Sequence, residues 1–219
     1  MKLSHAALLT CGVALSLFSA DALEAQPAGS PTQTLVLPAM PDPARVTLDP
    51  KTTALLLLDY VETICIQQPN CKDRMAPAIT PFLGRARTAG LTIAYGTREE
   101  TMTKWLKEVA PATGDMKIVS KAQDRFYSTD LDQLLKAKGI KTLIIAGWKV
   151  SGSVTYTSVG AMARDYTVVI PVDATSAATG YETAIGFFNV LNSGNANLGN
   201  QPLKPKAVTL SRTDLITFQ

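Results

Sequence analysis

The sequence predicts an α/β domain built on a doubly wound, mostly parallel sheet with helices on both faces. Three observations carry this. "TTALLLLDY" (52–60) is an unbroken apolar run, the pattern of a strand buried on both faces and not on one. Further runs of the same kind, "LTIAYGT", "KTLIIAG" and "YTVVIPVD", alternate with segments of helical period, the order that parallel sheets require. Glycines stand where helices should stop, at Gly90 and Gly139.

The elements follow in order. In "MAPAITPFLGRARTAG", Ile79, Phe82, Leu83 and Ala86 recur at helical spacing. "LTIAYGT" is the second strand, "MTKWLKEVAP" a short helix and "MKIVS" a short strand. In "STDLDQLLKAKGI", Ser128 or Thr129 caps a helix that turns Leu131, Leu134 and Leu135 inward. "KTLIIAG" and "YTVVIPVD" are the third and fourth long strands, and "GYETAIGFFNVLN" is a helix. "NSGNANLGNQP" is a loop, and "AVTLSRTDLITF" closes the domain in one or two short strands.

The domain is preceded by two other kinds of segment. Lys2, the apolar run "AALLTCGVALSLFSA" and the small-residue "ADA" have the order of a secretory signal over residues 1–22, with cleavage after Ala22 or Ala25. Residues 26–50 are rich in proline and read as an extended lead-in, so the domain proper is 51–219. A periplasmic or secreted protein is therefore expected, with no membrane attachment after signal removal. The only histidine, His5, and one cysteine, Cys11, leave with the signal. A chain without imidazole builds neither a Ser-His-Asp triad nor a histidine-ligated zinc site. The two remaining cysteines, Cys65 and Cys71 in "CIQQPNC", are expected to be bridged in an oxidising compartment.

Composition narrows the partners. The chain has 219 residues, 18 % of them charged, with a net charge of +3 that is dispersed and forms no basic stripe. Nucleic acid is thus not an expected partner. A small molecule is, because in a doubly wound sheet ligands sit beyond the carboxyl ends of the strands. Three polar features fall at such ends: Asp59, the stretch "VSKAQDRF" and the turn "GWKVSGS".

From about Thr52 to Ala174 these features resemble the isochorismatase-like (cysteine) hydrolases. The resemblance lies in "TALLLLDY", in "SKAQDRFYSTDLDQLLKAKGIKTLIIAG" and in "GWKVSGSVTYTSVGAMARDYTVVIPVDA". It implies the same α/β fold and hydrolysis of a small molecule at an amide C–N or vinyl-ether bond. It implies an aspartate base, here Asp59, and an oxyanion hole of backbone N–H groups in the turn. It also implies a lysine partner, here Lys121, five residues before Phe126, with Arg125 as the other cation of that segment. The nucleophilic cysteine's place, six residues after Gly147, is taken by Ser153. A serine hydroxyl is far less acidic than a thiol of pKa about 8.5 and needs a base in contact with it. Trp148 and Lys149 stand where the family usually has small residues, and with Phe126 they are the candidate substrate contacts. The resemblance also implies oligomers, so a homo-oligomer is expected; with its metal-binding histidines missing, no cofactor or metal is. The alternative is a non-catalytic relative that keeps the pocket to bind a ligand or partner.

Overall fold

The computed structural model describes residue 36, residues 39–98 and residues 104–219; the segment read as a signal lies outside them. Fourteen elements are numbered along the chain. The first half holds β1 (Val46–Leu48), β2 (Thr53–Leu58), α1 (Glu62–Cys65), α2 (Ala76–Thr88), β3 (Thr92–Thr97), β4 (Met116–Val119) and α3 (Leu131–Ala137). The second half holds β5 (Thr142–Trp148), α4 (Thr155–Met162), β6 (Thr167–Pro171), β7 (Thr175–Ser176), α5 (Gly180–Leu191), β8 (Val208–Ser211) and β9 (Ile216–Phe218).

The main sheet runs β4-β3-β2-β5-β6-β8, with every neighbouring pair parallel and β7 added to the end of β5. β1 and β9 pair in parallel as a separate ribbon, so the chain's last residues pair with its own lead-in, Val46 facing Ile216. β2 is buried along its whole length. Its alternation sends Ala54, Leu56 and Leu58 into one core and Leu55 and Leu57 into the other. The first core is roofed by α3, α4 and α5 through Leu131, Leu135, Ala161, Met162, Phe187, Val190 and Leu191. The second is roofed by α2 through Ile79, Phe82, Leu83 and Ala86, the four positions its period singles out.

The order has one reversal. From β2 the chain steps outward to β3 and β4, then returns to the other side of β2 as β5. A crevice opens at such a switch point, between the carboxyl ends of β2 and β5.

Two local readings change. "MTKWLKEVAP" is not an α-helix: within its described part, Lys107–Val109 is a single 3₁₀ turn. The preceding residues are extended against 60–62, where the Glu62 amide donates to the Lys104 carbonyl at 2.8 Å and the Leu106 amide to the Tyr60 carbonyl at 3.0 Å. Trp105 is drawn inward onto the Tyr95 ring, 5.1 Å away, and this contact overrides the local helical preference. Asp130, not Ser128 or Thr129, stands at the cap of α3, although the Thr129 hydroxyl accepts the Leu131 amide at 3.4 Å. Its leucines face inward, Leu131 and Leu135 fully and Leu134 partly. Cys65 and Cys71 form a disulfide between α1 and the π-helical turn Asn70–Met75. Among the described residues no helix is long and apolar enough to cross a membrane.

Candidate functional site

The switch-point crevice holds a pocket of about 220 Å³ lined by Asp59, Ile64, Arg98, Gln123, Trp148, Lys149, Gly152 and Ser153. Each side chain arrives there for a local reason. Asp59 is the first residue past β2, and its amide still donates to the Gly96 carbonyl of β3 at 3.0 Å. It then turns into the left-handed region, φ 56°, which aspartate tolerates better than most residues. Gly147 lies opposite Leu58 in the sheet, with φ 142°. A Cβ there would come within 2.0 Å of the Leu58 carbonyl oxygen, so glycine is what lets β5 close on β2 beside Asp59. The Trp148–Lys149 peptide is cis, and a tight turn over Val150–Val154 then leads into α4 and carries Ser153.

The cation beside Asp59 is Arg125, not Lys121. Arg125 has no exposure and Asp59 only 5 %. One guanidinium nitrogen, Nη2, donates to Asp59 Oδ2 at 2.6 Å and to the Ser153 hydroxyl oxygen at 3.0 Å. The other, Nη1, donates to the Ala122 carbonyl at 2.7 Å. The loop fixes this choice. Thr157 on α4 accepts the Arg125 amide at 3.2 Å, and Thr129 donates to the Arg125 carbonyl at 2.6 Å. Gly96 leaves room for the arginine stem, since a Cβ there would lie 3.0 Å from Arg125 Cγ. Lys121 sits on the exposed outer side of the same loop, outside the pocket lining.

The other predicted contacts separate. Trp148 and Lys149 line the pocket. Phe126 does not: it is buried on the α3–α5 side, stacked on Tyr166 at 5.9 Å with the Arg164 guanidinium 4.8 Å over its ring. An aromatic next to a site residue reads the same in sequence whether it faces the pocket or the core beneath. Arg98 and Ile64 were not singled out. Arg98 immediately follows β3, so the strand-end rule applied to that strand would have found it.

Burial raises the proton affinity of the Asp59 carboxyl above its ordinary value, with the Arg125 charge and the neighbouring Ser153 hydroxyl pulling the other way. Its second oxygen, Oδ1, is buried without a hydrogen-bond partner. Arg125 is shifted downward, again by burial, and Asp59 opposes this. The arrangement is a carboxylate with raised proton affinity and a hydroxyl, both held by one fixed cation. Such a set can take a proton from the hydroxyl and stabilise the alkoxide that results. Among the described residues no three His, Cys, Asp or Glu side chains are placed to hold a metal ion, and Cys65 and Cys71 are already joined.

Residues 53–198 match the isochorismatase domain family. A protein described as a probable inactive nicotinamidase from Arabidopsis thaliana is 39 % identical over 162 residues, covering 59 % of this chain and 83 % of that protein. The ureidoacrylate amidohydrolase of Methylorubrum extorquens is 29 % identical over 120 residues, 55 % of this chain but only 46 % of the relative's own length. Among solved structures, the N-carbamoylsarcosine amidase of Thermoplasma acidophilum superposes with a TM-score of 0.60 at 22 % identity, over 74 % of this chain and 97 % of that one, and so shares the fold.

Proposed function

The chain belongs to the isochorismatase family of hydrolases, and from that premise we propose that it cleaves a small molecule at an amide or ureido C–N bond through Ser153. The observation that carries this reading is the shared nitrogen: Arg125 Nη2 bonds both Asp59 and the Ser153 hydroxyl. In the family's pattern Ser153 stands where the nucleophilic cysteine does. A hydrogen bond from a guanidinium into the hydroxyl oxygen favours its ionised form, which offsets part of serine's weaker acidity.

The steps balance as follows. Ser153 Oγ bonds the carbonyl carbon while its proton passes to Asp59, and the carbonyl π pair moves onto oxygen. Collapse breaks the C–N bond, and the leaving amine takes the proton held by Asp59. Water then attacks the acyl-serine, gives a proton to Asp59, and the serine recovers it as the acid departs. Arg125 keeps its proton throughout, since a guanidinium is not deprotonated in a protein. The joined Cys65 and Cys71 support an oxidising, exported setting.

The test is turnover of a panel of small amides, ureido compounds and vinyl ethers, followed by release of ammonia, amine or carbonyl product. Ser153→Ala is expected to lower kcat/KM on the amide that works by roughly 10³-fold or more. An acylated Ser153 should be trapped by acid quench and seen by peptide mass analysis. Equal rates for the parent and Ser153→Ala chains would sink the serine mechanism. A second reading, ligand binding without turnover, is favoured by the described inactivity of the Arabidopsis relative. It predicts ligands that bind the pocket and are never cleaved.

A further inference from the structure

We propose that Gln123 selects ligands that carry an N–H: its carboxamide oxygen accepts a hydrogen bond from the nitrogen of an amide or ureido group held against Ser153. This deepens the function proposed above and rests on its choice of pocket, but not on turnover.

The first ground is where the carboxamide lies. Gln123 lines the same pocket as Ser153. A Cβ on Gly152 would stand 3.1 Å from Gln123 Oε1 and 3.3 Å from Lys149 Cγ, so the oxygen rests over the residue just before the proposed nucleophile. With glycine at 152, no side chain separates this oxygen from the turn.

The second ground is that Gln123 is fixed at its base and unengaged at its head. Thr157 Oγ1 on α4 donates to the Gln123 carbonyl at 3.2 Å and accepts the Arg125 amide, also at 3.2 Å. One hydroxyl thus sets the backbone of Gln123 and of Arg125 against α4 together. Among the described residues the Gln123 carboxamide itself has no hydrogen-bond partner. An exposed glutamine on a fixed backbone therefore presents its whole bonding capacity beside the site.

The third ground is the inventory of donors and acceptors. Among the side chains of the lining, Asp59, Ser153 and Gln123 can accept a hydrogen bond, whereas Arg98, Lys149 and Trp148 only donate. Lys149, the other side chain over Gly152, turns its Nζ to Glu182 Oε1 on α5 at 2.8 Å. In the proposed reaction Ser153 gives its proton to Asp59, so both are engaged while the new bond forms. Gln123 Oε1 is the acceptor that stays available to a ligand N–H. A ketone, ester or vinyl ether has no N–H to place there and leaves the oxygen unpaired.

The experiment compares benzamide with acetophenone, which share a ring, a carbonyl and an outline and differ by an amino against a methyl group. Both are titrated by calorimetry into the full chain carrying Ser153→Ala, where neither cleavage nor addition of the hydroxyl to a carbonyl intervenes. Adding Gln123→Met should lower the ratio of benzamide to acetophenone affinity by at least roughly fivefold, the contribution of one neutral hydrogen bond. Adding Gln123→Glu, which keeps an acceptor of the same reach, should hold the ratio within about twofold of its starting value. A ratio that Gln123→Met leaves unchanged, a fall of the same size with Gln123→Glu, or no binding of either probe at millimolar concentration would each overturn the proposal. Trapping of an acylated Ser153 in the parent chain is independent of all three, so the two readings fail separately.

Discussion

The Arg125 guanidinium meets the Asp59 carboxylate at 2.6 Å with the arginine side chain fully buried and the aspartate side chain 6 % exposed. Neither charge is well solvated, Asp59 meeting solvent only through the pocket mouth, so each leans on the other. Arg125→Met is expected to cost about 3–5 kcal/mol, because it strands a buried carboxylate. Adding Asp59→Leu to that variant should restore most of the loss, since an apolar pair of similar volume carries no desolvation penalty. Urea unfolding at neutral pH measures both. A loss below about 1 kcal/mol for Arg125→Met, the range of an exposed pair, would mean that the carboxylate finds water or another partner.

A raised Asp59 sets a pH dependence in two observables. As a base, Asp59 acts only when ionised, so kcat/KM should fall on acidification with a midpoint above the ordinary 3.8, the shift having burial as its main cause. For stability the sign is opposite to that of a salt-bridged acid with a depressed value. Between the unfolded and the raised folded value the native state binds more protons than the unfolded chain. The Asp59 contribution therefore declines as pH rises through that window and is largest below it. The stability difference between the parent chain and Asp59→Asn, followed by urea unfolding from about pH 4 to 7, should move against the parent as pH rises. An activity midpoint at or below 3.8 would show that Arg125 outweighs burial.

Much of this was legible in the sequence, and the parts that were not share a physical cause. β2 announces itself because a strand buried on both faces has no polar alternation to confuse it, and the Ile79–Ala86 spacing gives α2. Asp59 and the turn that carries Ser153 follow from strand-end position, and the choice of Ser153 within that turn from the family resemblance. The choice of Arg125 over Lys121 does not, because it is made by a bond from its amide to Thr157, 32 residues further on. Phe126 and the helix read over 102–111 fail for the same reason: the wall that Phe126 joins is decided by Tyr166, and the inward turn of Trp105 by Tyr95, neither of them a local neighbour. The Lys149–Glu182 contact joins a turn to a helix 33 residues away and had no local signal.

The disulfide gives a prediction that needs no substrate. Alkylation of the unfolded but unreduced chain should leave Cys65 and Cys71 unlabelled, and prior reduction should expose both. Closing so short a loop is worth about 2 kcal/mol on the chain-entropy account. A Cys65→Ser, Cys71→Ser double variant should lose about that much on urea unfolding. Ile64, the neighbour of Cys65, lines the pocket, so the variant should also bind ligands more weakly. Two labelled thiols without reductant would remove the bond from the protein.

Two glycines give opposite outcomes for one chemical change. Gly84 lies on the exposed side of α2, and a Cβ there meets nothing within 4 Å. Gly84→Ala should stabilise by about 0.5–1 kcal/mol, because alanine loses less backbone freedom in a helix. That corresponds to roughly 1–4 °C in Tm for a domain of this size. At Gly147 the same methyl would stand 2.0 Å from the Leu58 carbonyl oxygen and 2.8 Å from its carbon. Both are backbone atoms in the middle of the sheet, so no side-chain rotation relieves the overlap, and β5 must move away from β2. Asp59 and Ser153 are carried by the ends of those two strands, so the shift should pull the base from the hydroxyl. Gly147→Ala is therefore expected to cost more than about 3 kcal/mol and, in whatever fraction folds, to lower kcat more than it raises KM. Scanning calorimetry of both variants, with kinetics on the folded fraction, checks the pair. A Gly147→Ala chain with the parent's Tm and kcat would show that the two strands do not need this contact to assemble the site.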